Sequence, residues 1–352
     1  MKIQIKKVYT QSKARSVLLA IVAVLLALSV SSLLLATLGK SPLSGIVIFL
    51  KSGFGSTYAF FDSLNKAIPL FLCAIALSIS FKMQIWNIGG EGQYALGAIG
   101  ATFVYLYFPN LSWYFLIPLM FTSSAILGGL FGVIPAILKV YFDANEIITT
   151  LMLNYVGILL IDYLVYGPWQ DPTSLGFPMS VQFGENGTIS TISNTPLYKT
   201  IYICIILGVL YKIFFQTTKI GYEIKVSGEN ENVARYSHIP RKKLIIFVLF
   251  LSGAICGIAG FTETVSTVGR LQPSVIAGYG YKAIIVAWLA RLSTIGMGIF
   301  SYFLGAMLVG VEGLQLEMQV PEAYGMIIQG MILIFVVSFQ FFEKYKISIK
   351  KE

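Results

Sequence analysis

The feature of this sequence that most limits its fold is a series of long apolar segments with almost no charge. Residues 16–38 contain no charged side chain, and a helix of about 20 apolar residues is long enough to cross a bilayer. Charged residues make up 12% of the chain, whereas a soluble domain carries about 25%. So few charges cannot cover a surface exposed to water. We therefore predict an all-α polytopic membrane protein that is surrounded by lipid.

Ten apolar segments are predicted to cross the membrane, and an even number places both termini on one side. These segments are residues 16–38, 67–81, 94–108, 113–138, 147–166, 198–215, 244–261, 281–292, 297–311 and 324–342. Two of them, residues 67–81 and 281–292, are too short to span a bilayer alone. We therefore expect broken or re-entrant helices there, with eight or nine crossings as the alternative to ten. Such breaks are tolerated only where they line a cavity or are covered by protein.

The basic residues predict the orientation of the chain. Lys and Arg are concentrated at both ends and in the longest basic gap between apolar segments, and these residues favour the cytoplasmic side. We therefore expect a cytoplasmic N-terminus (residues 1–15), one transmembrane domain (residues 16–342) and a cytoplasmic tail (residues 343–352). Within that domain, residues 167–196 are expected to form an external loop and residues 217–243 a cytoplasmic loop.

Several classes of function are excluded by the composition. The net charge of +9 could suggest nucleic acid, but the basic residues lie between apolar segments instead of along one face. The cysteines Cys73, Cys204 and Cys256 lie inside apolar segments, and His238 has no second ligand nearby, so no metal site or catalytic triad is expected. The sequence has no G-x-x-x-x-G-K-[ST] motif. We therefore expect a protein that is not an enzyme, without catalytic residues or a cofactor of its own.

The first polar motif inside an apolar region is residues 87–93, NIGGEGQ. Polar side chains are costly in a membrane, so Asn87, Glu91 and Gln93 are candidates for a functional site. Glu91 lies near the start of a predicted helix. It either caps that helix, whose first N–H groups are free, or contacts substrate together with the two amides.

The second polar motif begins with Asn145 and Glu146. Asn145 is predicted to be a helix N-cap, which makes Glu146 a carboxylate of the first turn. Thr150 and Asn154 are four residues apart and share a helix face. This polar stripe either forms hydrogen bonds between helices or lines a translocation path.

Five ordered motifs resemble the permease subunits of bacterial ABC importers of the ribose and branched-chain amino acid class. Residues 87–93 are similar to the NIGxEGQ signature, and residues 145–155 to NEVITTLMLNY, which is characteristic of the branch that imports nucleosides with basic-membrane-protein-type lipoproteins. Residues 228–239 resemble a cytoplasmic GxNxxAARYxGI segment, and residues 252–260 and 278–292 resemble later conserved blocks. The resemblance extends from about residue 60 to 335.

The sequence departs from this pattern in three places. His238 replaces a glycine, Val233 replaces an alanine, and Trp288 and Ala290 stand where the family often has Ala-Leu-Leu-Gly. None of these changes removes a charged or amide side chain from the first two motifs. The change to Trp288 would alter the volume of a substrate pocket.

The resemblance implies a machine with several subunits in the cytoplasmic (inner) membrane. Two permease subunits, the second expected to be a paralogue, would form the pathway. An extracytoplasmic lipoprotein would deliver substrate, and a separate ATPase that binds ATP-Mg would power alternating access. The substrate-pathway candidates are Asn87, Glu91, Gln93, Asn145, Glu146, Thr150 and Asn154.

The resemblance also implies that residues 228–239 couple the permease to the ATPase. The coupling residues would be Gly228, Glu229, Asn230, Val233, Ala234, Arg235 and Tyr236. In this role Arg235 would offer a fixed charge, and Val233, Ala234 and Tyr236 would supply packing. The implied substrates are nucleosides, purine nucleosides in particular. The alternatives are a permease for ribose or another simple sugar, and an ion-coupled carrier that uses a buried acid such as Asp162.

Overall fold

A computed structural model of the protein describes the backbone of residues 2–7 and 13–350. It describes the side chains of residues 22–338 except 23, 24, 32, 322, 333, 336 and 337. The helices of this part are α1 (Lys13–Thr37), α2 (Pro42–Phe54), α3 (Thr57–Lys82), α4 (Gly90–Tyr107), α5 (Trp113–Phe142), α6 (Glu146–Tyr166), α7 (Thr200–Thr217), α8 (Lys219–Glu229), α9 (Glu231–Tyr236), α10 (Arg241–Glu263), α11 (Tyr279–Leu289), α12 (Thr294–Met318) and α13 (Glu322–Lys344). A π-helical turn, Thr264–Val268, extends α10, and short 3-10 turns occupy Glu185–Gly187 and Pro273–Val275.

Six of the described helices are long and apolar enough to cross a membrane. They are Thr57–Lys82, Trp113–Phe142, Glu146–Tyr166, Thr200–Thr217, Arg241–Val268 and Thr294–Met318. Shorter apolar helices are Leu25–Thr37, Pro42–Phe54, Pro273–Leu289 and Ala323–Ile332. These helices agree with the predicted polytopic fold. The count of ten crossings and the cytoplasmic location of both termini stay predictions.

The prediction of a short, broken helix at residues 67–81 is wrong. Helix α3 is continuous over 26 residues, begins at Thr57 and contains Pro69 in its interior. Its first turns carry Asp62, Asn65 and Lys66, which lower the local hydropathy without ending the helix. Asn65 is 7% exposed and binds the polypeptide of residues 196–198, so its polarity is satisfied by protein.

The other short segment is confirmed as short. Helix α11 has 11 residues, about 16 Å of rise, and follows the irregular segment of residues 269–278. Helix α2 was not predicted, because its 13 residues contain Lys51 and fall below the length of a spanning helix.

The two terminal segments form a short antiparallel β-pair that the sequence analysis did not predict. Strand β1 (Lys2–Lys7) pairs with β2 (Tyr345–Lys350), and Lys2 lies opposite Lys350. The sequences KIQIKK and YKISIK alternate polar and apolar residues, which is the period of a strand. The pairing brings the two ends of the chain together.

The chain divides into two compact units. The first contains residues 1–63 and 304–352, and the second contains residues 64–303. In the first unit α1 packs along α13, where Thr37 Oγ1 and Tyr324 Oη are 3.2 Å apart. Helix α2 packs on α12, where a Cβ on Gly53 would lie 2.5 Å from the carbonyl oxygen of Ala306. The backbones of these two helices are therefore in contact.

Helices α4, α5 and α10 form the centre of the second unit. Nearly every residue of α4 is buried, and the three backbones approach closely. A Cβ on Gly128 would lie 2.5 Å from the carbonyl oxygen of Gly253, and Ser124 Oγ donates to the carbonyl of Gly97 at 2.7 Å. Small residues let helices pack by van der Waals contact where lipid removes the hydrophobic driving force.

The polar segment predicted as an external loop lies against the ends of α4 and α10. The amide of Phe183 donates to the carbonyl of Gly269 at 2.8 Å, and the Phe183 ring packs on Tyr105 at 4.4 Å between centroids. Within the loop, the amide and hydroxyl of Thr173 donate to the Asp171 carboxylate and lower the pKa of that group. The loop is therefore an ordered cover for this end of the second unit.

The contact between α5 and α10 should be intolerant of larger side chains. A Cβ on Gly257 would overlap the carbonyl oxygen of Ser124, so Gly257→Val should separate the helices; overpacking typically costs about 1–3 kcal/mol. We expect a lower thermal midpoint and less folded protein in detergent. Gly330→Val is the control, because a Cβ there would have no atom within 4 Å. Equal midpoints for the two variants would contradict this account of the packing.

Candidate functional site

The first polar motif folds into a turn in the core of the second unit. Helix α4 begins at Gly90, and the side chains of Asn87, Glu91 and Gln93 are 0%, 0% and 1% exposed. The backbone before Gly90 is not helical. Polar groups buried in this way need hydrogen-bond partners inside the protein.

Asn87 and Gln93 bind each other and connect α4 to α10. Asn87 Nδ2 donates to Gln93 Oε1 at 3.1 Å and to Ser252 Oγ at 2.9 Å. Asn87 Oδ1 accepts from the amide of Gly89 at 3.0 Å and from Gln93 Nε2 at 3.3 Å. The two amide side chains therefore fix the turn and attach it to the middle of α10.

Glu91 caps a helix, but not the helix that contains it. Its two carboxylate oxygens accept from the amides of Gly278, at 2.8 Å, and Gly280, at 2.6 Å, at the start of α11. Of the two alternatives for Glu91, capping of α4 is therefore not observed, and contact with substrate stays a prediction. The free N–H groups at a helix start form its positive end and stabilise an anion. Gly280 has no side chain between the two helices, and Gly278 adopts φ 73°, a conformation that favours glycine.

Thr150 and Asn154 of α6 complete the hydrogen bonds of the same turn. The amide of Ile88 donates to Thr150 Oγ1 at 3.2 Å, and the amide of Gly92 donates to Asn154 Oδ1 at 2.8 Å. Asn154 Nδ2 donates to the carbonyl of Ile88 at 2.8 Å and to Tyr281 Oη at 3.1 Å. Both side chains are fully buried. The predicted hydrogen bonding between helices is present, and the role of these residues in a translocation path stays a prediction.

Asn145 and Glu146 lie at the start of α6, apart from this buried cluster. Asn145 Oδ1 accepts from the amides of Ile147 and Ile148 at 2.9 and 3.4 Å, so the predicted N-cap is confirmed. Glu146 forms an ion pair with Lys139 at 3.2 Å, and Lys139 also lies 3.5 Å from Asp143. These contacts connect the end of α5 to the start of α6.

The segment that resembles a coupling helix forms α9. Asn230 Oδ1 caps it by accepting from the amides of residues 232 and 233 at 2.9 and 3.3 Å. Val233 and Tyr236 are 48% and 85% exposed, and Arg235, Glu229 and Asn230 are also exposed. Apart from Ala234, most of this segment is therefore exposed.

Two residues of this segment serve the chain itself. Ala234 is 1% exposed, so the expectation that it packs against a partner is corrected. A helix of six residues that rests on its own protein must bury one side, and Ala234 is on that side. Gly228 lies against the carbonyl of Lys82 at the end of α3, where a larger side chain would not fit.

A cavity of about 530 Å³ lies between α9, the end of α5 and the start of α10. Its charged lining residues are Lys139, Arg235, Arg241, Lys242, Asp143 and Glu231. Glu231 is ion-paired with Arg241, which ties α9 to the first turn of α10. The cavity is therefore bounded by two helices that an ion pair joins, and its lining has more basic than acidic side chains.

Sequence reasoning missed several partners of the motif residues. Ser252 binds Asn87, and Tyr281 binds Asn154. The amides of Gly278 and Gly280 bind Glu91, and only the blocks that contain these partners were identified. Helical and glycine patterns show where such residues lie but do not show which distant side chain they bind.

Trp288 lies beside Trp86, the residue that directly precedes Asn87. Its indole stacks on Trp86 with 5.3 Å between ring centroids and 17° between planes, and both indoles pack on Phe81. Trp288 is 42% exposed. Its predicted effect on the volume of a substrate pocket stays a prediction.

Comparison with known proteins confirms the resemblance. The chain belongs to the family described as branched-chain amino acid transport system / permease component, which it matches over residues 59–337. It is thus the membrane permease component of an ABC transporter and a multi-pass membrane protein.

Three relatives match along nearly their whole length. The glucose ABC transporter permease of Haloferax volcanii is 30% identical over 94% of this chain and 89% of the relative. The nucleoside ABC transporter permease of Lactococcus lactis subsp. cremoris is 27% identical over 93% of each chain. The guanosine ABC transporter permease of Bacillus subtilis is 26% identical over 91% of this chain and 93% of the relative.

The Glu91 carboxylate should stabilise the fold through both of its oxygens. Glu91→Gln leaves one oxygen and one NH2 group, so one of the two glycine amides loses its acceptor; such a loss costs about 1–3 kcal/mol. We expect a lower thermal midpoint for the purified protein in detergent. Glu185→Gln, an exposed position in the polar segment of residues 167–196, is the matched control and should leave the midpoint unchanged. An unaltered midpoint in Glu91→Gln would show that the cap does not support stability.

Proposed function

We propose that this chain is the permease subunit of an ABC importer for nucleosides, with purine nucleosides as the main substrates. The observation that carries the substrate class is the match to a nucleoside and a guanosine permease over more than 90% of each chain. The motif of residues 145–155, which resembles the signature of the nucleoside branch, supports the same substrate.

A sugar is the second candidate substrate. The relative with 30% identity is a glucose permease, so this alternative has a specific observation in its favour. A nucleoside contains a pentose, and what distinguishes the two substrates is the base. Transport of free pentose or glucose therefore separates the two proposals.

The proposed topology has ten crossings with both termini in the cytoplasm of the cell. The pairing of β1 with β2 supports an even number of crossings, because paired ends lie on one side of a membrane. Residues 16–342 then form one permease domain in the cytoplasmic membrane, with residues 167–196 outside and residues 217–243 inside. The basic residues of the inner loop favour this orientation.

The proposed partners are an ATPase subunit, a second permease subunit (a paralogue) and an extracytoplasmic lipoprotein that binds substrate. Helix α9 would dock on the ATPase through Val233, Arg235 and Tyr236, which are exposed. Glu229 and Asn230 would border this contact. Family membership supports the need for an ATPase and a binding protein.

The connections of α9 suggest how movement would reach the pathway. Glu231 ties α9 to Arg241 at the start of α10, and Ser252 on α10 binds Asn87 in the turn before α4. A displacement of α9 would therefore move α10 and, through it, the turn that holds the starts of α4 and α11. Alternating access then needs two arrangements of this connected set whose relative stability depends on ATP.

Helices α4 and α11 would line the pathway, since helices that begin inside a membrane commonly border substrate sites. In this proposal Asn87, Glu91, Gln93, Thr150 and Asn154 hold the two helix starts in position. Glu146, and Asn145 beside it, would lie towards the ATPase end, because Lys139, the ion-pair partner of Glu146, also lines the cavity beside α9.

Uptake assays should show selectivity for nucleosides. In cells that lack the gene, restoring it should increase uptake of radiolabelled guanosine and inosine at least tenfold and leave uptake of labelled ribose and glucose unchanged. Uptake should stop when ATP is depleted. Restored transport of sugar alone would replace the nucleoside proposal, and transport that survives ATP depletion would overturn the ABC mechanism.

Reversal of the charge on α9 should uncouple the permease from its ATPase. Arg235→Glu places a carboxylate where the partner is expected to meet a cation, so we expect uptake to fall at least tenfold and the ATPase to be lost on co-purification. Lys219→Glu is the control in the same loop, since Lys219 is exposed and lies outside α9. Equal membrane levels of both variants would exclude misfolding, and normal uptake by Arg235→Glu would refute the coupling role.

A further inference from the structure

The cavity of about 530 Å³ beside α9 has a lining that is partly charged and partly apolar. Its volume is within the range of small-molecule sites, about 300–1,000 Å³. Three of its lining residues, Asp143, Arg235 and Lys242, are exposed, so a solute can reach it from the surface. The apolar side chains of the lining are Ile85, Val140, Ala234, Ile239 and Ile245.

Two cations of this lining have no counter-ion. Lys139 and Arg241 are ion-paired with acidic side chains. Arg235 and Lys242 have no ion-pair partner among the residues that the structure describes. The cavity therefore keeps an excess of positive charge after the ion pairs around it have formed.

The start of α10, which forms one wall of the cavity, adds to this positive charge. Its first three residues are Arg241, Lys242 and Lys243, and its first turn contains no acidic residue. The cap residue Pro240 offers no side-chain acceptor, and within the described part of the chain the amides of residues 242 and 243 have no hydrogen-bond acceptor. Basic side chains at the positive end of a helix are unfavourable. A bound anion would offset both the free amides and the basic side chains.

A phosphate ester has the chemistry that this arrangement would recognise. Free amides at a helix start commonly bind phosphate, and lysine binds phosphate as a point charge. The apolar part of the lining would contact the organic group of the ester. A chloride ion would leave most of the volume empty, and a neutral apolar solute would leave the two cations without a counter-ion.

From these observations we infer that the cavity binds one phosphate group, carried either by a small soluble ester or by the headgroup of an anionic lipid. The phosphate lies between the Lys242 ammonium and the first turn of α10, and Arg235 contributes positive charge from α9. The organic group lies on Ile239 and Ile245. This site goes beyond the proposed transport function and does not depend on the identity of the substrate.

Native mass spectrometry of the full-length protein in detergent can detect the bound phosphate and identify its source. The soluble probe is glycerol 3-phosphate, with glycerol as the uncharged control. The lipid probe is phosphatidylglycerol, with phosphatidylcholine of the same acyl chains as the control without net charge. We expect one probe molecule per chain, retained at least fivefold more tightly than its control. Retention of glycerol 3-phosphate would identify a soluble ester as the ligand, and retention of phosphatidylglycerol alone would identify a headgroup. Retention of neither would overturn the inference.

Two neighbouring lysines provide a matched pair of variants. Lys242→Gln should weaken retention of the bound probe about fivefold, the contribution of one basic residue near an anionic headgroup, and Lys242→Arg should restore it. Lys243→Gln is the control, because Lys243 is exposed in the same helical turn but does not line the cavity. Equal weakening by Lys242→Gln and Lys243→Gln would overturn the inference, since a general attraction to basic residues would then explain the binding.

The complex with the partner subunits distinguishes a phosphate site from a docking surface for an acidic protein. In this complex the difference in retention between Lys242→Gln and Lys243→Gln should persist. Loss of the difference on assembly would mean that carboxylates of a partner occupy the cavity, and it would overturn the inference.

Discussion

The structure of the second unit depends on how backbone groups are satisfied where two helices begin inside its core. Neither α4 nor α11 has a side chain of its own that caps its first turn. Glu91 supplies the acceptors for α11, and α6 supplies a hydroxyl and an amide for the turn before α4. Each helix start is therefore completed by another element, and three helices become a single hydrogen-bonded set. This reciprocity explains why so many polar residues can lie in an otherwise apolar core.

The apolar segments were sufficient to predict the class of fold and most of the long helices. They failed at the first turns of α3, where polar side chains lie within the helix. Hydropathy alone cannot distinguish a polar residue bound to protein from one that faces water. The same limit applies to Glu91. Its position near a helix start was predictable, but its acceptor role depends on Gly278 and Gly280, which are nearly two hundred positions further along the chain. Such a partner is set by tertiary packing.

Residues 228–239 also show which features the sequence predicts and which depend on tertiary packing. Its resemblance implied a fixed charge at Arg235, and Arg235 is exposed on α9. Only the packing reveals that Ala234 faces inward and that Glu231 connects the helix to α10. These contacts make α9 one end of a continuous set of interactions that reaches Asn87 through α10. Family membership identifies the chain as a permease component, and the geometry shows how its short helix is joined to the buried turn.

The contact between α1 and α13 has a consequence for biosynthesis. Thr37 and Tyr324 meet across 287 positions of sequence, and a ribosome makes the chain from its N-terminus. Helix α1 is therefore synthesised long before α13 exists, and the contact between the two helices can form only after α13 has been translated. The contact at Thr37 is thus a late event in the folding of the first unit.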